Sequence, residues 1–92
     1  MLENFFEPDS VAVIGASREA GKVGYEILRN LLENDFPGKV YPINPRADEI
    51  IGLRAYPSVV DVPDQIDLAV VVVPARFTPS VVEDCGNKGV DS

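Results

Sequence analysis

Residues Ser10–Gly24, SVAVIGASREAGKVG, decide the fold. Val11 to Ile14 form an unbroken apolar, largely β-branched run, the pattern of a strand buried on both faces within a parallel sheet. Gly15 ends that run, and a short polar stretch leads through Gly21 and Lys22 to a change of period. Val23, Ile27, Leu28, Leu31 and Leu32 then fall on one helical face, with Glu26, Arg29, Asn30 and Glu33 opposite. A buried strand, a glycine-rich turn and an amphipathic helix therefore follow one another within 24 residues.

Working outward, NDFPGK stops the helix at Pro37 and Gly38. KVYPINP predicts a second strand over Lys39 to Asn44, closed by Pro45. GLRAYPSV predicts a brief third strand around Arg54 to Tyr56, and SVVDVPDQ a turn or short helix capped by Ser58. Asp67 leads into the strongest strand, Leu68 to Val73. Thr78 and Pro79 suit an N-cap and first helical position, and Gly89 suits the helix stop after Val81, Val82 and Cys85. Strand, helix, strand, short element, strand, helix opens a Rossmann-like, doubly wound α/β fold with a parallel sheet. Val90 stands where another strand would begin, so the expectation is one domain, residues 1–92, that is the C-terminally truncated front of a longer one.

A chain of 92 residues buries roughly 60–65% of its unfolded surface as one small domain. Fifteen acidic against eight basic residues, net charge −7, disfavour general nucleic-acid binding, which needs a basic face. One cysteine, Cys85, permits no intrachain disulfide and suits a reducing, cytoplasmic setting. MLENFFEPDS lacks a basic leader, and LAVVVVPA is too short to span a bilayer. The chain contains no histidine, so no catalytic imidazole and no phosphohistidine can reside in it.

Three phosphate-binding loops compete for the glycine turn. A dinucleotide fingerprint needs G-x-G-x-x-G and a carboxylate at the end of the second strand. Gly15, Gly21 and Gly24 open the first gap too wide, and Asn44, Pro45 and Arg46 stand at the strand tip instead. A cation there suits a nucleotide with an additional ribose phosphate, which keeps an NADP-binding oxidoreductase half-domain as an alternative. The nucleotide-triphosphatase loop, G-x-x-x-x-G-K-[ST], is one residue too short for GASREAGKV, and Val23 replaces its magnesium-binding hydroxyl. There remains a longer loop whose backbone N–H groups, backed by a helix start, face an anion, with Ser17 adding a hydroxyl and Arg18 and Lys22 adding charge. The same glycines would also serve a tight turn and close helix–strand packing without any ligand.

FFEPDSVAVIGAS, GKVG, FPGKVYPINP, EIIGLRAYPSVVDVP and DLAVVVVPA occur in the order and spacing of one family. The sequence resembles the N-terminal CoA-binding domain of the NDP-forming acyl-CoA synthetases, the group of ADP-forming acetate–CoA ligases related to the succinyl-CoA synthetase α subunit. The resemblance runs from about Phe5 to Gly89. It implies that coenzyme A lies across the carboxyl ends of the strands. Gly15, Ala16 and Ser17 would meet its phosphate and nucleotide portion, Asn44, Pro45 and Arg46 would flank the nucleotide, and Val73, Pro74 and Ala75 would line the path beyond the last strand. It also implies partners elsewhere: a phosphohistidine domain and a nucleotide-grasp domain or β subunit. The chain itself would bind coenzyme A and catalyse nothing, and a sheet edge left open would favour pairing with a second copy. A CoA-sensing regulatory module of a protein acetyltransferase-like protein is the alternative within the resemblance.

Other residues carry ordinary expectations. Cys85 suits a buried small hydrophobe. Tyr41, Tyr56 and Phe77 could border a base or serve the core. Ala47 to Glu49, although acidic, has no paired ligands at metal spacing, so no metal site is expected.

Overall fold

The computed structural model describes residues 9–89; the lead with Phe5, Phe6 and Pro8, and the strand expected at Val90, lie outside the described residues. Strand β1 spans Ser10–Ile14, helix α1 Val23–Glu33 and strand β2 Lys39–Ile43. A small hairpin of β3 (Glu49–Ile50) and β4 (Leu53–Arg54) follows, then β5 (Leu68–Val71) and α2 (Thr78–Lys88). Single 3-10 turns cover Val59–Asp61 and Ala75–Phe77.

β1 lies in the middle of a three-stranded parallel sheet in the order β2-β1-β5. Its register sets Val11 beside Val40 and Leu68, and Val13 beside Pro42 and Val70. All five β1 residues are buried because both faces of the strand are covered. Val11 and Val13 join Leu28 of α1 and Ile50 and Ala55 of the hairpin region on one side. Ala12 and Ile14 join Tyr41, Ile43, Val59 and Ile66 on the other, where Val81 and Cys85 of α2 pack. The continuous apolar run is thus two alternating half-sets, each feeding its own core.

Helix α1 docks through Gly24 and Leu28, with Ile27, Leu31 and Leu32 packed beside them. Val23, expected on that face, is 65% exposed. A Cβ at Gly24 would overlap the carbonyl oxygen of Gly15, so the residue without a side chain meets the turn and Val23, one step round the helix, stays outside. α2 starts one residue earlier than expected. Thr78 is its first helical residue, Phe77 occupies the cap position in αR geometry, and no side chain caps it. The preceding 3-10 turn denies Thr78 the extended backbone that a capping hydroxyl requires. Gly89 stops the helix in the left-handed region with φ 87°, as expected.

β2 ends at Ile43, freeing Asn44. The third strand is shifted. Leu53–Arg54 pairs antiparallel with Glu49–Ile50, a partner that the acidic loop concealed, while Tyr56 makes a parallel bridge to Ile43. β5 is shorter than Leu68 to Val73, although the Val72 N–H still donates to the Ile14 carbonyl at 2.8 Å.

The amino ends of the strands are tied by polar contacts. The Ser10 hydroxyl donates to the Gln65 carbonyl at 2.7 Å and accepts from the Asp67 N–H at 3.0 Å. The Tyr41 hydroxyl donates to Asp64, whose Oδ2 also lies 3.5 Å from the Lys39 ammonium. Burial, and then the Asp64 carboxylate, push the Tyr41 phenol up to about 12. The Tyr41 hydrogen bond, followed by the Lys39 charge, holds the Asp64 carboxyl below its ordinary range.

Gly24→Ala should therefore destabilise the chain by about 1–3 kcal/mol, the usual range for overpacking a close contact, measured by urea unfolding. The signs of the two shifts set the pH limits. Tyr41, with its folded pKa raised, supports the fold fully below about pH 10, and that support is lost as pH rises through about 12. Asp64, with its folded pKa lowered, supports it above the ordinary carboxyl range and loses that support as pH falls through its lowered value. Phenolate absorbance should show one late-titrating tyrosine, which Tyr41→Phe removes while returning Asp64 toward the ordinary carboxyl range.

Candidate functional site

The chain runs outward from β1 to β2 and returns to β5 on the opposite side of β1. The carboxyl ends of β1 and β5 therefore diverge into a crevice, the place where open parallel sheets bind ligands. A cavity of about 440 Å³ occupies it.

Gly15 forms its floor. The Gly15 N–H donates to the Ile43 carbonyl at 3.1 Å, its φ is 98°, and a Cβ there would lie 2.5 Å from the Val72 carbonyl oxygen. A side chain is excluded twice, by conformation and by space. The turn continues through Ala16 and Ser17, and no backbone carbonyl among the described residues takes up the N–H groups of Ala16, Ser17 or Arg18. The Ser17 hydroxyl accepts from the Glu19 N–H at 3.0 Å, and Glu26 of α1 reaches back to accept from the Gly21 N–H at 3.1 Å. The first turn of α1 thus stands directly behind the Gly15 carbonyl.

Asn44 joins the second wall to the first. Its Nδ2 donates to the Ala16 carbonyl at 2.9 Å, and its Oδ1 accepts from the Arg46 N–H at 2.7 Å. Pro45 lies beside it on the cavity. Beyond β5, Val72, Val73 and Pro74 form the third side. The last wall comes from Phe77, Ser80, Val81 and Asp84 of the α2 region, facing Pro57, Ser58 and Val59.

The structure thus brings seven expected residues onto one cavity: Gly15, Ala16, Ser17, Asn44, Pro45, Val73 and Pro74. The expected cations Arg18, Lys22 and Arg46 are exposed and stand outside its lining. Ala75 opens the 3-10 turn, and its side chain lies outside the described residues. Of the three candidate aromatics, only Phe77 reaches the cavity. Tyr41 is buried, and Tyr56 sits edge-on to it at 6.1 Å with the Arg54 guanidinium 5.2 Å over its ring. Cys85, expected buried, packs on the core but is only partly buried, and burial, followed by Asp84, pushes its thiol up, away from thiolate chemistry. Ser80 and Asp84 went unread in the sequence. Their spacing from Phe77 places all three along one stripe of α2, but a helical stripe does not declare which cavity it faces.

Residues 9–92 match the family model described as a CoA binding domain. The chain belongs to the CoA-binding domain family. It is 61% identical over 83 residues to an ADP-forming acetate–CoA ligase of Methanocaldococcus jannaschii, covering 90% of this chain and 12% of that protein. It is 52% identical over 93 residues to the α subunit of ADP-forming acetate–CoA ligase I of Pyrococcus furiosus, covering 97% of this chain and 20% of that subunit. In structure it superposes on the dinucleotide-forming acetyl-coenzyme A synthetase 1 of Ca. Korarchaeum cryptofilum with a TM-score of 0.94 and 54% identity, covering 99% of this chain and 20% of that one. The chain therefore spans about an eighth to a fifth of the length of these relatives.

Asn44→Ala should loosen the turn by removing both of its ties, costing about 1–2 kcal/mol of stability. Faster amide exchange at Gly15 and Arg46, whose N–H groups are hydrogen-bonded there, with β1 unchanged, would place the effect at the turn.

Proposed function

We propose that this chain supplies the coenzyme A site of an ADP-forming acyl-CoA synthetase. The cavity at the switch point, floored by the Gly15 turn with its unclaimed N–H groups, is the observation that carries this reading. Those amides and the N-terminus of α1 suit a pyrophosphate. Arg18, Lys22 and Arg46 stand at exposed positions from which they meet phosphates outside the cavity, Arg46 being the partner of the ribose 3′-phosphate. Asn44, Pro45, Val73, Pro74 and Ala75 flank the uncharged parts of the ligand.

The parent reaction interconverts acyl-CoA, ADP and phosphate with the acid, coenzyme A and ATP. With no histidine in the chain, its part is to hold coenzyme A. Phosphoryl transfer falls to a phosphohistidine domain and a nucleotide-grasp domain or subunit. The working compartment is the cytoplasm; no helix among the described residues is long and apolar enough to cross a membrane.

Calorimetric titration with coenzyme A, 3′-dephospho-CoA and NADP tests this. Coenzyme A should bind, the dephospho form more weakly, and NADP weakest of the three. Arg46→Ala should weaken coenzyme A roughly tenfold, as expected for a charge-assisted hydrogen bond, while leaving the dephospho form nearly unchanged. Heat from NADP with none from coenzyme A would replace this reading by the oxidoreductase one.

A further inference from the structure

Among the described residues that line the cavity, one carries a formal charge, and it is negative: Asp84. No lysine or arginine shares the lining with it. For the site of a polyanion this is a constraint. A carboxylate and a phosphate confined together repel strongly where water is excluded. The phosphates therefore belong at the Gly15 turn and beyond the cavity mouth, and what faces Asp84 on the α2 wall must be an uncharged part of the ligand.

The carboxylate is also held in place. The Ser58 hydroxyl accepts from the Val60 N–H at 3.4 Å and donates to Asp84 Oδ2 at 3.2 Å. One link thereby joins the turn after β4 to α2, with the Ser58 hydroxyl proton committed to Asp84. No hydrogen bond or ion pair among the described residues engages the other oxygen, Oδ1. Asp84 is two turns of helix beyond Phe77, whose ring lines the same wall. An apolar ring and an oriented carboxylate on one stripe suit a flat or amide-bearing group that carries an N–H donor.

Resting on the coenzyme A reading, we propose that Asp84 is a specificity-determining residue that accepts a hydrogen bond from an N–H on the uncharged part of the ligand. Coenzyme A offers two sources of that donor, the amino group of the base and the amides of the pantetheine arm.

The test uses the purified chain, with folding verified by circular dichroism, and three probes. These are coenzyme A, 1,N6-etheno-CoA, in which the amino group is blocked, and 4′-phosphopantetheine, which has no base. Asp84→Ala should weaken coenzyme A about tenfold or more. Asp84→Asn keeps a carbonyl for Ser58 but turns an NH2 toward the ligand donor, so it should weaken coenzyme A at least as much while preserving the Ser58 link. It decides the matter should Asp84→Ala fail to fold. If the base supplies the donor, etheno-CoA binds the wild type weakly and is insensitive to either substitution. If the pantetheine amides supply it, phosphopantetheine loses the same factor as coenzyme A. Wild-type or tighter binding of all three probes by Asp84→Asn would overturn the proposal, because a carboxylate that only repels phosphate is improved by neutralisation. A wild-type chain that binds no coenzyme A would instead overturn the reading on which the proposal rests.

Discussion

Everything at the carboxyl end of this sheet depends on how tightly the backbone closes around Gly15. Three segments converge there: the Ile43 carbonyl accepts its N–H, the Val72 carbonyl stands where its side chain would be, and Gly24 of α1 rests on its own carbonyl. Only chain without side chains on both contacting surfaces permits this approach. The closure sets the depth of the crevice, the direction in which Ala16 to Arg18 present their N–H groups, and the position of the α1 N-terminus behind them. A methyl group at either glycine would push the helix or β5 outward and open the floor of the crevice.

The sheet has two unlike ends. At the amino end, Ser10, Tyr41, Asp64 and Lys39 connect strands to loops through side-chain hydrogen bonds and one ion pair. The ion pair is exposed and contributes little by itself; the hydroxyl contacts bear most of the alignment. At the carboxyl end the strands splay and the chain reverses direction across the sheet, so packing leaves a hollow. The stapled end holds the register that keeps the hollow end in shape. Parallel pairing of β1 with both neighbours makes the arrangement possible, since every carboxyl terminus then points to the same side.

Charge is sorted around the hollow. A chain with net charge −7 attracts a polyanion only through local structure, and here the local devices are backbone amides and a few cations outside the cavity. The interior is otherwise apolar, with Ser17, Asn44, Ser58, Ser80 and Asp84 supplying its polar side chains. Such a division favours a ligand that is charged at one place and neutral elsewhere. Arg18, Lys22 and Arg46 stay exposed, outside that interior.

The sequence by itself determined the buried central strand, the turn that follows it, the order of the helices and the Gly89 stop. Each depends on local period or on the conformational freedom of single residues. The family resemblance implied that Gly15, Ala16, Ser17, Asn44, Pro45, Val73 and Pro74 lie together, and they do line one cavity, in keeping with strand ends in such a sheet sharing one edge of space. Only the tertiary structure decided that Gly24 rather than Val23 faces the turn, that Glu49–Ile50 pairs with Leu53–Arg54, and that Asp84 enters the cavity held by Ser58. Those outcomes turn on contacts between residues that local patterning does not relate. A few ångströms of approach, set by how helices pack on the sheet, choose which side of an element meets its neighbour.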